Sequence, residues 1–313
     1  MPFVPGFRLA VLSDLHVGIA KREGWHNWMI STDPADTLAP TVAALNRERL
    51  DLVIVTGDLT SEGTEEQLAL AKHYLERLHC PYLVAKGNHD QRTSEARLTF
   101  ERVFGERAKV GLVEGPMVGL PAGTALLLLD AWWLGDEGKL QVERPPVVIP
   151  PVQMGVPEDQ LEEPLRLLQR RRPRLLLVCS HFPLLSQAEH LAAVRGKDAG
   201  HLLNGEVILK RLLGVADSVI CFTGHQHFHH LLSGDRWLQC ATGALAEYPG
   251  EYRLVEIEAE GARLRVAGAL DAGLVDRALR DAPWVAGTLE DRTAAWACSL
   301  PKRTVATIDK ASH

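Results

Sequence analysis

Short hydrophobic runs alternate with amphipathic stretches through the first two thirds of this 313-residue chain. Apolar runs of four or five residues, each the length of a buried strand, occupy 9–12, 52–55, 82–85, 175–179 and 219–222. A sixth strand is predicted over 125–130. Apolar residues at helical spacing predict helices over 35–48, from Thr64 onward, and over 94–104, 158–171 and 204–213. The alternation indicates an α/β fold.

The pattern changes after Gly224, where short strands are predicted over 229–233, 236–241, 251–257 and 262–268. Residues 131–157 contain Trp132, Trp133 and several prolines, and we expect a loop that overhangs the site and forms part of its wall. In the last segment only a short helix around Leu274 and Ala278 is indicated. We therefore expect one domain over 1–270 and a C-terminal extension over 271–313.

Composition narrows the possible functions. A net charge of -6 and a pI near 6.1 predict no general surface for nucleic acid. The chain contains no apolar run of 18 residues and no signal-peptide pattern at its start, so we expect neither a membrane span nor export. Its five cysteines form no C-x-x-C pair, which favours buried free thiols in the cytoplasm. The sequence does not indicate an oligomeric state.

Side chains that bind metals follow five of the predicted strands. The segments are Asp14-Leu15-His16, Gly57-Asp58, Gly87-Asn88-His89-Asp90, Ser180-His181 and Gly224-His225-Gln226-His227. A lone Asp or His at a strand end is usually a cap, but the carboxyl ends of strands in an open α/β sheet meet at one edge. Four imidazoles, two carboxylates and one amide, with His89 as a further imidazole, suit a pair of divalent cations.

These five segments, in this order, resemble the calcineurin-like metallophosphoesterase family, whose pattern is D-x-H, G-D, G-N-H-[D/E], a lone His and G-H-x-H. The resemblance covers about residues 7–257. It implies a four-layer α/β/β/α sandwich of two mixed sheets flanked by helices. It also implies metal-dependent hydrolysis of phosphoric esters.

The family's site residues are carried over onto matching positions. The resemblance implies a first metal at Asp14, His16, Asp58 and His227, and a second at Asp58, Asn88, His181 and His225. It further implies that Asp58 bridges two divalent ions, with Mn, Fe or Zn favoured, and that a metal-bridging hydroxide attacks the phosphorus. His89 would then give a proton to the leaving group. Many relatives have a carboxylate where this chain has Ser61, so the partner that orients His89 stays open.

The residues within and beside the motifs, including Ser180-His181-Phe182-Pro183, resemble those of the cyclic-nucleotide and glycerophosphodiester branch of the family. We therefore expect a small-molecule phosphodiesterase. The alternatives are a phosphomonoesterase or nucleotide pyrophosphatase on the same site, a nuclease, and a non-catalytic scaffold. The acidic balance disfavours a nuclease, and the complete ligand set disfavours a scaffold.

Overall fold

The structure is a computed structural model that describes residues 6–21, 23–113, 118–135, 137–148, 151–258 and 261–297. The strands of these residues are β1 (Phe7–Leu12), β2 (Leu52–Val55), β3 (Tyr82–Val84), β4 (Gly111–Leu112), β5 (Thr124–Leu128), β6 (Trp132–Leu134), β7 (Leu140–Gln141), β8 (Met154–Gly155), β9 (Leu175–Cys179), β10 (Ser218–Thr223), β11 (His230–Gly234), β12 (Trp237–Ala241), β13 (Glu251–Glu258), β14 (Gly261–Gly268) and β15 (Thr293–Ala297). The α-helices are α1 (Leu38–Leu45), α2 (Glu65–Leu75), α3 (Ser94–Phe104), α4 (Asp159–Arg171), α5 (Ala188–Val194), α6 (Gly205–Val215), α7 (Ala272–Ala278) and α8 (Leu289–Arg292).

Two six-stranded sheets form the centre of the described fold. The first has the order β15-β14-β13-β1-β2-β3, and the second has the order β11-β12-β10-β9-β5-β4. Strands β1, β2 and β3 run parallel, as do β5, β9, β10 and β12, whereas β13 runs antiparallel to β1 and β11 to β12. Both sheets are therefore mixed, as the resemblance implied.

Alternating side chains of the central strands build the layers. Leu9 and Val11 of β1 pack with Leu177 of β9 in the core between the two sheets. Ala10 and Leu12 face the other way and pack with helices α1, α2 and α3. The outer face of the second sheet packs against α4 and α6 in the same manner. The predicted four-layer α/β/β/α sandwich is confirmed.

Most predicted elements are confirmed, with changes at their ends. Helix α1 covers 38–45 rather than 35–48, because residues 33–37 form turns in which Asp33 accepts a hydrogen bond from the backbone N–H of Ala35. Thr64 caps α2 by accepting a hydrogen bond from Gln67 N. Helix α4 covers 159–171, within one residue of the prediction, and Pro164 lies inside it. Local hydrogen bonds thus determine where the helices begin and end, which the hydrophobic periodicity predicts only to within a few residues.

The described residues of the segment 131–157 form more than the expected loop, because they include three short strands. Strands β6, β7 and β8 pair into a small antiparallel sheet. Its strands have only two or three residues, too few for a period-2 pattern to show in the sequence. Trp133 is buried in the core on the outer face of the second sheet, while Trp132 is half-buried beside the Arg97 guanidinium.

The described part of the C-terminal segment contains the predicted short helix, α7, and then strand β15, which the sequence did not indicate. Strand β15 pairs with β14 at the edge of the first sheet. The division at residue 270 stays a prediction.

Cysteine burial agrees with expectation at three positions. Cys179, Cys221 and Cys240 are buried free thiols, Cys80 is half-buried, and Cys298 lies outside the described residues. None of the helices that the structure describes has the length and apolar character to cross a bilayer.

Candidate metal centre

The segments that follow β1, β2, β3, β9 and β10 converge at one edge of the two sheets. They bring six of the predicted site residues to the lining of a single cavity of about 550 Å³: His16, Asp58, Asn88, His89, His225 and His227. The other two, Asp14 and His181, are buried directly behind this lining, with 0% and 2% of their surface exposed. The structure therefore brings all eight predicted residues together.

The backbone at these residues is unusual. Asp14, His16, Asp58, His225 and His227 all have positive φ angles, between 46° and 68°. Non-glycine residues rarely adopt this left-handed region, and such strain clusters at functional sites. The residues with positive φ include Asp14 and His16 of the D-x-H segment and both histidines of the G-H-x-H segment.

One half of the cluster is built around His16 and His227. Their Nε2 atoms lie 3.3 Å apart, and Nε2 of His227 lies 3.1 Å from Oδ1 of Asp14. Nε2 of His16 is also 3.9 Å from Oδ2 of Asp58. Asp14, His16 and His227 offer ligand atoms within 4.8 Å of one another.

The other half is built around His181. Its Nε2 lies 3.4 Å from Oδ2 of Asp58 and 3.2 Å from Oδ1 of Asn88, while its Nδ1 contacts the carbonyl oxygen of Thr56. His225 lies beside this ring, at 5.1 Å between centroids. Nε2 of His225 contacts the carbonyl oxygen of Ala199 at 2.9 Å, which leaves Nδ1 as its free ligand atom.

The donor set fits divalent cations. Oδ1 of Asp14 is buried without a hydrogen bond of acceptable geometry, and the two Nε2 atoms of His16 and His227 face each other. Burial lowers the pKa of His16 to about 4 and that of His225 to about 3. These two rings are therefore neutral at pH 7, the form in which an imidazole binds a metal. Burial opposes the charge of His181 and His227, but Asp58 raises the pKa of His181 to about 9 and Glu247 holds the pKa of His227 well above its usual range, so a metal at these two rings would displace a proton.

The carboxylates of the cluster are ionised. Burial raises the pKa of Asp14, but its contact with His227 more than offsets this and brings the pKa to about 2. Burial likewise opposes ionisation of Asp58, yet His181 holds the pKa of Asp58 well below its usual range. Two fixed negative charges thus lie within the cluster, as a pair of cations requires.

Asp90 supports the loop that carries Asn88 and His89. Its carboxylate accepts hydrogen bonds from the backbone N–H groups of Leu59, Thr60 and Gly87, at 2.9–3.1 Å. A side chain at Gly87 would overlap Asp58, so only glycine allows this approach of the two loops.

His89 is oriented by backbone and not by the carboxylate that many relatives have. Its Nδ1 lies 2.9 Å from the carbonyl oxygen of Ser61 and 2.7 Å from Nη2 of Arg92. Nδ1 either donates to the carbonyl or accepts from the guanidinium, because it has a single hydrogen-bonding position. Arg92 is itself held by Glu62, at 2.5 Å.

Sequence reasoning missed Glu247, which lies at the back of the cavity. Its Oε1 is 2.6 Å from Nδ1 of His227, and the glutamate is 1% exposed. The only sequence signal was a single acidic residue in an apolar stretch, Ala244-Leu245-Ala246-Glu247. Neither Trp132 nor Trp133 is among the described residues that line the cavity. From 131–157, Val152 lines the cavity.

An open cavity over carboxylates, imidazoles and an amide, at the strand ends of a four-layer sandwich, defines a metal-dependent hydrolase of phosphoester bonds. Residues 7–229 match the profile of the calcineurin-like phosphoesterases, and the chain belongs to this family.

Curated relatives and solved structures agree with this family. A protein of Rhodopseudomonas palustris named a probable cyclic nucleotide phosphodiesterase is 36% identical over 92 residues, 29% of this chain and only 32% of that protein. A Synechococcus protein of the same name is 25% identical over 262 residues, 81% of this chain and 88% of the relative. A dimetal phosphatase from Danio rerio has the same fold, with a TM-score of 0.65 at 17% identity, over 86% of this chain and 98% of that one.

Proposed function

We propose that this protein is a small-molecule phosphodiesterase that acts with two divalent transition-metal ions. The observation that carries the proposal is the convergence of seven ligand-type side chains, from five separate strand ends, at a cavity of about 550 Å³. The proposed ligands are Asp14, His16, Asp58, Asn88, His181, His225 and His227. Manganese, iron or zinc suits this mixed nitrogen and oxygen set. When bound, such ions supply an activated water near neutral pH and neutralise phosphate oxygens.

Asp58 is the proposed bridging ligand. Its Oδ2 lies 3.9 Å from Nε2 of His16 and 3.4 Å from Nε2 of His181, so it stands between the two halves of the cluster. Its Oδ1 accepts a hydrogen bond from the backbone N–H of His89 at 2.8 Å. The same carboxylate therefore also fixes the loop that carries His89.

His89 is the proposed proton donor to the leaving oxygen. A ring nitrogen of His89 lies within 4.8 Å of ligand atoms of His16 and Asp58, so the imidazole is beside the position that the phosphate would occupy. An imidazole suits proton transfer because its ordinary pKa lies near neutral pH.

The charges of the cavity favour a diester over a monoester. Among the described lining residues outside the cluster, the two cations Lys21 and Arg92 stand against three acidic residues, Glu23, Glu62 and Glu247. A phosphate monoester carries a charge near -2 at pH 7, whereas a diester carries -1. Outside the metal centre, the lining therefore offers no surplus positive charge to balance the second negative charge of a monoester. The names of the two curated relatives support the same choice.

The test is a comparison of substrates on one preparation. Protein freed of metal by chelation and reloaded with manganese is assayed with a bis-aryl phosphate, an aryl monophosphate, cyclic AMP and glycerophosphocholine. We expect kcat/KM to be higher for the bis-aryl diester than for the aryl monophosphate. A higher value for the monoester would make the protein a phosphomonoesterase, and no hydrolysis of any ester would reject the proposal.

We also propose a cytoplasmic location. The buried free thiols Cys179, Cys221 and Cys240 support a reducing compartment.

A further inference from the structure

Residues 23–29 contribute four residues to the lining of the cavity, and we call this segment the pocket wall. Glu23, Gly24, Trp25 and Met29 of this wall line the cavity. The segment contains no helix and no strand longer than an isolated bridge. Its order must therefore come from contacts with the rest of the protein.

Glu247 supplies three of those contacts through a single carboxylate, beside the hydrogen bonds that Asn27 and Trp28 make with residues 278–282. Its Oε1 accepts a hydrogen bond from Trp25 N at 2.7 Å, and its Oε2 accepts from His26 N and Asn27 N at 3.2 Å each. The same Oε1 lies 2.6 Å from Nδ1 of His227. Three consecutive amides of the pocket wall and one imidazole of the candidate centre thus share one buried acceptor.

A carboxylate suits this position because four donors surround it. An ionised carboxylate has about four lone-pair sites and no proton, whereas an amide of the same shape keeps only one acceptor oxygen. The wall also lies very close to Glu247, since a Cβ added to Gly24 would meet Cδ of Glu247 at 2.5 Å. The absence of a side chain at Gly24 allows this approach.

We propose that Glu247 is a positioning residue that couples metal occupancy at His227 to the order of the pocket wall. The inference rests on the proposed function in so far as His227 is a metal ligand. A cation on Nε2 of His227 leaves the proton of the ring on Nδ1, 2.6 Å from Oε1 of Glu247, and so fixes the tautomer and the orientation of the ring. The carboxylate is then fixed as acceptor for the amides of Trp25, His26 and Asn27. The substrate wall is therefore best ordered in the metal-loaded enzyme.

The experiment is hydrogen exchange of the full-length protein, read by mass spectrometry on peptides that cover residues 23–29, with and without saturating manganese. Wild type is compared with Glu247→Gln and with Glu62→Gln. Glu62 also lines the cavity but bonds Arg92, so its variant is the matched control. Manganese affinity is measured on each variant by calorimetry.

We expect manganese to slow exchange in the wall of wild type and of Glu62→Gln. In Glu247→Gln, exchange in the wall should be faster without metal and should not change when saturating manganese is added. The affinity of this variant for manganese should be about 10–100-fold lower than that of wild type. A purely structural role would speed exchange by the same factor with and without metal. An equal manganese response in wild type and Glu247→Gln would overturn the coupling.

A second variant keeps the inference testable if Glu247→Gln fails to fold. The Cβ that Gly24→Ala adds would meet Asn27 O and, at 2.5 Å, Cδ of Glu247, so the variant displaces the wall from Glu247 without touching a proposed ligand. Because coupling between two sites is reciprocal, it should also weaken manganese binding. Unchanged manganese affinity in a folded Gly24→Ala protein would contradict the coupling. Wild type that binds no manganese would reject the metal centre as well, whereas an active, metal-binding wild type without any exchange response would reject the coupling alone.

Discussion

At the scale of single residues, the candidate centre is built on strained backbone. Each left-handed non-glycine residue costs on the order of 1–3 kcal/mol. Hydrogen bonds between the strand-end loops offset this cost: Asp14 N donates to Gly57 O at 3.1 Å, and His16 N donates to Asp58 O at 3.0 Å. The loops after β1 and β2 therefore fix each other.

The bridging role of Asp58 predicts unequal effects on metal content. Asp58→Ala removes a charge from between the two halves of the cluster, whereas Asn88→Ala removes a neutral amide that contacts His181 in one half. We expect Asp58→Ala to lose more metal than Asn88→Ala in elemental analysis of the purified proteins. A greater loss in Asn88→Ala would contradict the bridging assignment.

The proton-donor role of His89 predicts loss of turnover without loss of metal. His89→Ala should reduce kcat by about 10²–10⁴ for an alkyl leaving group. The reduction should be smaller for an aryl leaving group, which departs without a proton. Steady-state kinetics on the two substrate types, with metal content measured in parallel, makes the comparison. Loss of metal would make His89 a ligand, and a uniform loss of rate would point to phosphate positioning.

The motifs predicted the eight residues of the cluster because each motif ties a metal-binding side chain to a strand end. They did not predict Glu247 or the contact of His89 with Ser61 O. Glu247 follows β12 by six residues and reaches His227 only through the fold. A backbone carbonyl such as that of Ser61 has no signature in a sequence.

At the scale of elements, hydrogen bonds from residues 131–134 stabilise the loop that carries Asn88 and His89. Nε1 of Trp133 donates to Gln91 O at 3.2 Å, and Nε2 of Gln91 donates to Ala131 O at 3.1 Å. These bonds hold the residues just after Asn88 and His89. The long hydrophobic runs predicted the central strands, but β6, β7 and β8 were missed because strands of two or three residues depend on their partners.

The two tryptophans should therefore differ in their effect on stability. Trp133 is 2% exposed, so Trp133→Ala should lower the free energy of unfolding by about 3–5 kcal/mol. The half-buried Trp132 keeps part of its surface in water, so Trp132→Ala should cost less than half as much. Urea unfolding followed by circular dichroism measures both. Equal losses would contradict the packing role assigned to Trp133.

At the scale of the whole molecule, both six-stranded sheets contribute residues to one site. Strands β1, β2 and β3 of the first sheet and β9 and β10 of the second end at the same edge. The C-terminal segment also reaches the pocket wall, because Asn27 accepts a hydrogen bond from Arg280 N and donates one to Ala282 O. Periodicity predicted the strands but not how the sheets face each other, since that depends on contacts distant in sequence.

A metal titration tests most directly whether this protein is a dinuclear phosphodiesterase. Chelated protein is titrated with manganese while bound metal and bis-aryl phosphate hydrolysis are measured on the same samples. We predict negligible activity without metal and a rise to a plateau at about two manganese ions per chain. Full activity in the metal-free protein, or a plateau at one ion per chain, would contradict the account.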